Sequence, residues 1–429
     1  MWSNQFGGST AGDSAYVNGV ASDSSGNLFV AGRYRGAVNF AGGALSSSAG
    51  SDDVFVAKYS AGGSYQWAQG FGSTGSDSAA GVAVDGSGNV VVAGSFQGTV
   101  NFGGGPLTAT ASNSMFVAKY SPTGGYLWAK ALAGPVPYAV AVDGSGNVVV
   151  TGYYYGTVDF GGGAISSING STDIFVAKYS PNGSYLWAKS YGGTNTDMAR
   201  AVAVDGNGNV VVAGYFWGTA NFGGGSLTSF GSNDIFVAKY ASDGSYVWAK
   251  QFGGTGADYA YGVAVDGAGN VLVAGTFANT VDFGGGALTA STSGGDIFLA
   301  KYTPSGGYLW AKHFGGTSAF GSVAYAVGVD SNGNPLLTGW INDFVNFGGG
   351  PLTAPLNSYD IFVAKFNSAG DYQWAKRAGA EGSDYGNSVA ADSGGNVLVA
   401  GYFTTSADFG CGTLSSAGGV DGYAVKLSP

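Results

Sequence analysis

Aspartates at one repeated position are the residues of this chain best placed to do chemistry together. Each lies eight residues before a second aspartate, except for Asp13, which lies ten before its own; the others are Asp77, Asp197, Asp258 and Asp384. If the repeats surround one axis, these carboxylates would form a broken ring for an amine or a cation such as calcium. The alternative, which we favour, is that each carboxylate accepts hydrogen bonds from the amides of its own Gly-Gly turn.

A second candidate site is a loop position whose residue changes between otherwise similar repeats. An aromatic side chain exposed there would stack against a sugar or a base, or anchor a protein partner. The alternative is that the aromatic side chain packs between neighbouring repeats. The position is held by Arg35, Gln97, Tyr155, Trp217 and Ala278 and, in a locally shifted stretch, by the nearby Trp340.

The chain offers few residues for catalysis. Its one histidine, His313, occupies a position where other repeats have Ser190, Gln251 or Arg377, which indicates a solvated strand end. Its one cysteine, Cys411, replaces a loop glycine and has no base near it in the sequence. A Ser-His-Asp or Cys-His site would have to use His313, and a metal site of His and Cys ligands cannot be assembled. We therefore predict that the protein is not an enzyme.

Two glycine-rich motifs are similar to ion sites but are better explained as turns. The Asp-Gly-Ser-Gly-Asn sequences, as at 85–89, offer one carboxylate each. We predict that they form hairpin turns with Gly at positive φ rather than calcium loops. The Phe-Gly-Gly-Gly sequences, as at 102–105, would suit anions as amide nests, but no helix follows them and repeated glycines indicate tight turns.

The composition favours an acidic, all-β protein that does not bind nucleic acid. Of 429 residues, 81 are glycine and only 10% are charged, the formal net charge is −10, and good helix formers are scarce. All twelve lysines occupy repeated positions, which leaves no basic patch for a phosphate backbone or an anionic membrane surface. Since no apolar run approaches the roughly 18 residues of a membrane span, we expect no membrane insertion.

Seven tryptophans, spaced 59 to 65 residues apart, mark an internal repeat. Each copy contains four short runs, A to D, that are β-branched or aromatic and bounded by turn residues, as strands are. In the copy that begins at Ala201 they read Ala-Val-Ala-Val-Asp, Asn-Val-Val-Val-Ala-Gly-Tyr-Phe, Asp-Ile-Phe-Val-Ala-Lys-Tyr and Tyr-Val-Trp-Ala-Lys. Four strands per copy predict a β-propeller with one antiparallel sheet, or blade, per repeat.

The two ends of the chain predict a closed ring. The chain begins with a run D at 2–6 and ends with a run C at 423–427, so the N-terminal strand would complete the last blade. We predict a single domain, 1–429, that is an all-β, closed seven-bladed propeller of four-stranded antiparallel blades. The expected blade limits are 17–71, 79–131, 138–190, 199–252, 260–314, 324–377, and 387–429 with 1–7.

Loop lengths indicate which face of the molecule binds ligands. The intervals across the A–B and C–D turns are constant, whereas the B–C and D–A connections vary in length between copies. In an up-and-down blade these two variable connections emerge on the same side. Since long, variable loops on a rigid scaffold usually carry recognition, we predict that this face is the functional one.

The repeat resembles a known family over the whole chain. Its pattern is Gly-Gly-x-x-x-Asp-x-Ala-x-x-Val-Ala-Val-Asp-x-x-Gly-Asn-Val-x-Val-Ala-Gly, followed by Asp-Ile-Phe-Val-Ala-Lys-Tyr and Tyr-Leu-Trp-Ala-Lys. This pattern resembles the bacterial seven-bladed β-propeller (SBBP) repeat, and its Val-Asp-x-x-Gly-Asn core is similar to NHL-type repeats. The resemblance implies a secreted or cell-surface protein without catalytic residues.

Three hypotheses about function follow. We expect a monomeric, cofactor-free extracellular module that binds carbohydrate multivalently through the repeated loops of one face. The alternative is a scaffold for cell-surface proteins, or a structural surface protein, that uses the irregular loops at 131–138 and 317–325. The least favoured is a channel-mouth hydrolase or lyase that depends on Asp258. Met1 stands where other repeats have Leu, Gln or Val, so we expect a mature domain whose localisation signal is missing from this sequence.

Overall fold

The computed structural model of this protein describes residues 1–316, 321–355 and 358–429. Within these residues the regular structure is β-strand, apart from single-turn 3-10 helices at Ser48–Gly50 and Ile168–Gly170. Runs A to D of the repeats form strands, and each set of four pairs antiparallel in the order A-B-C-D. This confirms the prediction of an all-β fold built from four-stranded antiparallel sheets, which we number one to seven along the chain.

The strands share one order in every sheet. The A strands are Ser14–Ser22, Ser78–Val84, Val136–Val142, Met198–Val204, Tyr259–Val265, Val323–Val329 and Tyr385–Ala391. The B strands are Leu28–Arg35, Val90–Phe96, Val148–Tyr154, Val210–Asn221, Val271–Phe277, Pro335–Ile341 and Val397–Phe403. The C strands are Asp53–Tyr59, Ser114–Tyr120, Asp173–Tyr179, Ser226–Tyr240, Asp296–Tyr302, Asp360–Phe366 and Asp421–Leu427. The D strands are Tyr65–Phe71, Tyr126–Ala133, Tyr185–Gly193, Tyr246–Phe252, Tyr308–Phe314 and Tyr372–Ala378, with Trp2–Phe6 in sheet seven.

The N-terminal strand supplies the D strand of sheet seven, as the sequence predicts. It pairs antiparallel with the last strand of the chain, from Trp2 opposite Lys426 to Phe6 opposite Gly422. The A strands of successive sheets lie side by side, and the A strand of sheet seven lies beside that of sheet one. The A strands therefore occupy the middle of the molecule and the D strands its outer edge.

A small β-ribbon stands between strands B and C, where the sequence predicts only a glycine-rich loop. The ribbons pair Ala37–Asn39 with Ala44–Ser46, Thr99–Asn101 with Pro106–Thr108, Thr157–Asp159 with Ala164–Ser166, Thr280–Asp282 with Ala287–Thr289, Phe344–Asn346 with Pro351–Thr353, and Ser406–Asp408 with Thr413–Ser415. In sheet four the ribbon continues strands B and C themselves. The phenylalanine after each first ribbon strand is buried. In five sheets its carbonyl oxygen accepts a hydrogen bond from the hydroxyl group of the tyrosine that ends strand C, as from Tyr120 to Phe102 at 3.1 Å.

The core lies between the sheets, because strands B and C bury both of their faces. One cluster joins Phe29 and Val54 of sheet one to Val92 and Phe116 of sheet two, and equivalent clusters join the later neighbours. Another cluster joins Ala424 of sheet seven to sheet one. Burial on both faces explains why the B and C runs are apolar almost throughout.

Aspartate, lysine and tryptophan at repeated positions form a clamp between neighbouring sheets. Asp85 accepts the backbone N–H groups of Ser87 and Asn89 at 2.9 Å each, so its turn is the predicted hairpin, with Gly88 at a φ of 77°. The same carboxylate pairs with the buried Lys119 at 2.9 Å. Burial raises the pKa of such an aspartate, but the bonds from Lys119 and Asn89 outweigh it and hold the pKa of Asp85 below its ordinary value.

The cationic end of this clamp reaches the neighbouring sheet. In sheet one, Lys58 Nζ and Trp67 Nε1 both donate to the carbonyl oxygen of Pro122, in the C–D turn of sheet two, at 3.1 Å each. The same two-donor arrangement recurs from sheet two to three, three to four, four to five and five to six. The lysines of strand C and the tryptophans of strand D in these sheets therefore have a structural role, since they join neighbouring sheets.

Candidate functional site

A β-bulge interrupts strand A at the same point in every sheet. The pairing of strand A with strand B skips one residue, five positions before the turn aspartate, and bulges of this kind re-aim a side chain. The seven bulge residues are half-buried. They are Asn18, Ala80, Tyr138, Arg200, Tyr261, Tyr325 and Asn387.

The bulge residues surround one cavity of about 500 Å³ between the A strands, which we call the central cup. All seven line both this cavity and a smaller one that adjoins it. Its upper wall comes from cross-strand pairs two residues earlier, such as Tyr16 with Arg33 and Tyr385 with Tyr402. Because both the bulge position and the position two residues before it vary between sheets, the cup is asymmetric although the scaffold repeats.

Aromatic rings form a chain around most of the cup. Tyr16 contacts Tyr402 edge-on at 4.8 Å between ring centroids, and Tyr402 contacts Tyr385 at 4.9 Å. Tyr385 stacks with Tyr325 at 6.3 Å, which meets Tyr261 edge-on at 5.5 Å. Offset and edge contacts at these distances fix the rings as a continuous wall.

Two arginines complete this wall. The guanidinium of Arg200 lies 3.9 Å from the ring centroid of Tyr138 and 5.3 Å from that of Tyr261, so it bridges two tyrosines. Arg33 lies 4.3 Å from the ring centroid of Tyr16. Both contacts are within the range of cation–π attraction.

Sheet two contributes the smallest side chains to the wall of the cup. In sheet two the three lining positions hold the small residues Ser78, Ala80 and Ser95, where every other sheet has larger side chains, tyrosine and arginine among them. The small side chains leave a notch in the aromatic wall.

The cup presents neutral phenols and positive charge. Burial raises the pKa of Tyr385, Tyr402 and Tyr261, so these phenols stay protonated at neutral pH. Among the residues that line the cavity there is no aspartate or glutamate, and its only charged side chains are Arg33 and Arg200. A cup of this kind offers ring faces, hydroxyl donors and an anion site.

The structure does not gather the repeated aspartates at the channel mouth. Asp77 is fully buried, and its two carboxylate oxygens accept the N–H groups of Gln97 at 2.8 Å and Ser73 at 2.7 Å. Asp197, Asp258 and Asp384 are also fully buried and make the matching bonds, as does Asp13 with less burial. Each carboxylate thus joins the D–A loop that precedes it to strand B of the same sheet or to the segment that follows strand B.

Burial sets the protonation of these aspartates. It raises the pKa of Asp197 to about 7 and that of Asp77 and Asp384 to about 6, against the hydrogen bonds that lower it. Within the described residues, no three acidic, histidine or cysteine side chains are placed to hold a metal ion. The hydrogen bonds that these carboxylates accept from backbone N–H groups are those of loop caps.

At the outer loop position, some residues bond to neighbouring side chains and others are exposed to solvent. Arg35 pairs with Asp52 at 2.8 Å, and Gln97 donates to Asn113 at 2.9 Å. By contrast, Tyr155 and Trp217 are 62% and 50% exposed. These residues lie on separate sheets, and the structure does not bring them into one site.

Trp340 does not occupy the outer loop position that the sequence indicates. It lies inside strand B of sheet six, opposite Val323, and its ring meets Tyr359 edge-on at 4.7 Å. Asn342 aligns with Trp217 instead, and Trp340 aligns with Tyr215. The interval of eight residues from the turn asparagine, Asn209 to Trp217 and Asn334 to Asn342, agrees with this register. Part of the irregular stretch 317–325 lies outside the described residues.

The bulge position itself escaped the sequence analysis. Its signal was present, because this position varies between Asn, Ala, Tyr and Arg directly before a stretch that repeats closely. The run also contains one residue more than a strict alternation of inward and outward side chains allows, as expected for a strand with a β-bulge. Variation in the outer loops indicated a binding site there instead, because recognition usually resides in loops.

Two known proteins share sequence similarity with this chain over part of their length. An uncharacterized WD repeat-containing protein of Acanthamoeba polyphaga mimivirus is 24% identical over 489 aligned positions, which cover 90% of this chain and 35% of that protein. The regulatory protein FlaEY of Caulobacter vibrioides is 27% identical over 291 positions, 61% of this chain and 29% of that protein. This chain therefore spans about a third of the length of these relatives.

Several solved structures align along most of the chain. Sqt1 from Chaetomium thermophilum has a TM-score of 0.45 at 9% identity and covers 98% of this chain and 97% of its own. A catalytically inactive virginiamycin B lyase from Staphylococcus aureus, with quinupristin, has a TM-score of 0.44 at 10% identity and covers 99% of each chain. In the part of the chain that the structure describes, no helix is long and apolar enough to cross a membrane.

A family model described as a beta-propeller repeat, SBBP, matches residues 2–33, 247–276 and 373–410. The three matches fall in the first, middle and last parts of the array, and they span D, A and B strands of the sheets described above. The resemblance that the sequence indicates is confirmed: this chain is a beta-propeller repeat protein with SBBP repeats in these three regions.

Proposed function

We propose that this protein is a non-enzymatic binding module that holds carbohydrate in the central cup of a closed seven-bladed propeller. The observation that carries the proposal is the set of seven bulges, which point side chains of different chemistry into one cavity. The fold repeats the bulge, while the residue on it changes from sheet to sheet. A scaffold that repeats its geometry and varies one inward position is suited to asymmetric recognition.

Closure of the ring is supported by the contact between the two ends of the array. Trp2 Nε1 and Lys426 Nζ donate to the carbonyl oxygen of Ala61 at 3.1 and 3.2 Å. These donors come from sheet seven and the acceptor from the C–D turn of sheet one. The arrangement repeats the clamp between Lys58, Trp67 and Pro122, so sheet one follows sheet seven as sheet two follows sheet one.

The chemistry of the cup favours a sugar. Tyrosine rings provide flat apolar faces with polar tips, which suit the two kinds of surface on a sugar ring. The side-chain amides of Asn18 and Asn387 donate to backbone oxygens at 2.8 and 2.9 Å, which directs each amide group and leaves its oxygen as an acceptor. Serine hydroxyls line the notch. Ring faces with a few fixed polar groups are typical of small-molecule sites.

The proposal that the protein is not an enzyme is supported by what lines the cup. General acid–base catalysis usually needs a carboxylate or a histidine near the operating pH. The residues around the cavity supply phenols and guanidinium groups instead. Incubation of the protein with any sugar that it binds, followed by product analysis, tests this directly, and turnover would overturn it.

A glycan array with intact protein tests the binding proposal, followed by titration of the best ligand against two variants. Tyr325→Ala opens the aromatic wall of the cup, so we expect it to weaken binding at least tenfold. Leu127→Ala, which removes an exposed side chain on the outer edge of sheet two, serves as the control. Circular dichroism on both variants separates lost binding from lost folding. A blank array, or full affinity in Tyr325→Ala, would overturn the proposal.

A second candidate function, protein interaction, is favoured by the long hairpin of sheet four. It extends strands B and C without a break and exposes Trp217 and Phe230, which are 50% and 66% exposed. Exposed aromatic side chains on one element are typical anchors of protein interfaces. Trp217→Ser with Phe230→Ser should then abolish capture of a cell-surface partner, while Arg200→Gln should not.

Secretion or cell-surface display and a monomeric state remain our predictions from the sequence. Fractionation of the source cells, with an antibody against the chain, tests the first of these. Light scattering after gel filtration tests the second, for which we expect a mass near 42.7 kDa.

A further inference from the structure

We propose that Arg200 forms an anion subsite in the central cup, and that the ligand is a carbohydrate with a carboxylate group, such as a uronic acid oligosaccharide. This inference rests on the proposed function and names the class of sugar. It is carried by the placement of Arg200 between two tyrosines and by the charges of the surrounding wall.

The contacts of Arg200 hold its guanidinium in place and leave its edge free. Tyr138 and Tyr261 lie 3.9 and 5.3 Å from the guanidinium, so it is packed against aromatic rings. Within the described residues, no carboxylate lies within ion-pair distance of Arg200 and no backbone oxygen accepts from it. A planar guanidinium fixed in this way presents two parallel N–H donors, which match the two oxygens of a carboxylate.

The fold does not require arginine at this position. The same bulge holds Asn18, Ala80, Tyr138 and Tyr325 in other sheets, with the same skip in strand pairing. Among the seven bulge residues, Arg200 is the only charged one. Since neither the bulge nor the sheet depends on its charge, the charge is available for a ligand.

Arg33 adds positive charge on the opposite part of the wall, but it is partly neutralised. One of its terminal nitrogens lies 3.7 Å from Asp52, and its ring contact is with Tyr16 alone. Its Nε is buried without a hydrogen-bond partner in the described part of the chain. The protein carries a formal net charge of −10, so two arginines in a wall without carboxylates make the cup a local site of positive charge.

A sugar acid fits this wall better than an acidic peptide. The cup has about 500 Å³, and its largest surfaces are tyrosine faces that stack on flat rings. A uronic acid places its carboxylate on the ring that stacks, so one residue of the ligand meets Tyr261 and Arg200 together. A glutamate side chain offers the carboxylate without the ring face.

Calorimetric titration of the intact chain with three probes tests the proposal. The probes are an oligogalacturonate, its methyl ester and an oligoglutamate of similar length. The variants are Arg200→Gln, Arg200→Lys and, as a control of equal charge change, Lys312→Gln, whose side chain is exposed and lies outside the cup. We expect wild-type protein and Lys312→Gln to bind the free acid and to bind its ester at least tenfold more weakly.

The variants then identify the residue responsible. Arg200→Gln should weaken binding of the free acid by about tenfold to a hundredfold, as expected for a lost charge-assisted hydrogen bond, and should leave the affinity for the ester unchanged. Arg200→Lys should recover only part of the loss, because lysine cannot pair with a carboxylate through two parallel donors. An unchanged acid affinity in Arg200→Gln would overturn the role of this residue.

Other outcomes separate this inference from the proposed function. Equal binding of acid and ester would overturn the anion subsite while the carbohydrate cup stands. Binding of oligoglutamate but neither sugar would overturn both and would identify an acidic peptide as the ligand class. If neither probe sugar nor any sugar on the array binds, the proposed function itself fails.

Discussion

The indole N–H of Trp2 donates to the carbonyl oxygen of Ala61 over 3.1 Å, although the two residues belong to the last and first sheets of the array. The same acceptor receives Lys426 Nζ at 3.2 Å. A residue at the start of the chain and one near its end thus hold a single turn of sheet one. This contact joins the ends of the repeat array and supports the ring on which the central cup depends.

Deletion of residues 1–6 should destabilise the protein strongly. It removes a whole strand, exposes the edge of the last strand and takes away Phe6, which is fully buried. Loss of one buried phenylalanine side chain alone costs about 3–5 kcal/mol. Chemical denaturation measures the effect, with Trp2→Phe as the control, which should lose only about 1 kcal/mol. Equal stability of the deletion variant and the wild type would contradict the role of this strand in closure.

Breaking one buried clamp should also be costly. Lys119→Met leaves the Asp85 carboxylate buried without its cation, and we expect a loss of about 3–5 kcal/mol in the free energy of unfolding. Lys312→Met breaks an exposed pair with Asp371 at 3.9 Å and should cost less than about 1 kcal/mol. Urea denaturation of both variants measures the difference. Similar losses in both would show that the buried pair does not act as a clamp.

The middle glycine of the Phe-Gly-Gly-Gly sequence should not accept a side chain. A Cβ on Gly104 would lie 2.1 Å from Tyr126 Cζ, because the strand D tyrosine packs flat on this glycine. We therefore expect Gly104→Ala to lose about 1–3 kcal/mol of stability, as overpacking does. Gly144→Ala, where a Cβ meets nothing within 4 Å, is the matched control and should be nearly neutral. Equal thermal stability of the two variants would be inconsistent with this packing.

Stability should be greatest in mildly acidic solution. The pKa of Asp197 is raised to about 7 and those of Asp77 and Asp384 to about 6, so the folded state keeps protons that the unfolded state loses above pH 3.8. Folding is therefore disfavoured progressively as the pH rises from about 4 to about 7.

The clamp aspartates act in the opposite direction at lower pH. The pKa values of Asp85, Asp143 and Asp205 are lowered, so the stability they contribute is present above pH 3.8 and is lost as the pH falls below it. Thermal melts between pH 3 and pH 8 should show a maximum at about pH 4–6. A monotonic rise to pH 8 would contradict the raised pKa values of the buried aspartates.

The repeat pattern predicted most of the scaffold, since apolar runs, turn residues and fixed intervals all depend on local chemistry. The strand order, the hairpin at Asp85 and the pairing of the N-terminal strand could be read from the sequence. The clamp was missed because Lys119 reaches Asp85 and Pro181 across 34 and 62 positions, and such contacts leave no local pattern.

The candidate site was harder to predict for the same kind of reason. Every sheet contributes its bulge residue to the central cup, and the bulge residues of neighbouring sheets are about one repeat apart in the sequence. Its members became visible only when strand pairing showed that Tyr138 and Arg200 occupy bulges. The outer loop position lies eight residues after the turn asparagine in the other copies, and the same interval from Asn334 gives Asn342 rather than Trp340.

Filling the notch of the central cup tests the account most directly. Ala80→Trp places a large ring at a bulge where sheets three, five and six already hold tyrosine, so the fold should tolerate it. The measurement is calorimetric titration of this variant with the sugar that wild type binds, beside a thermal melt. We predict an unchanged melting temperature and at least a hundredfold loss of affinity. Wild-type affinity in a folded Ala80→Trp variant would show that the ligand binds elsewhere.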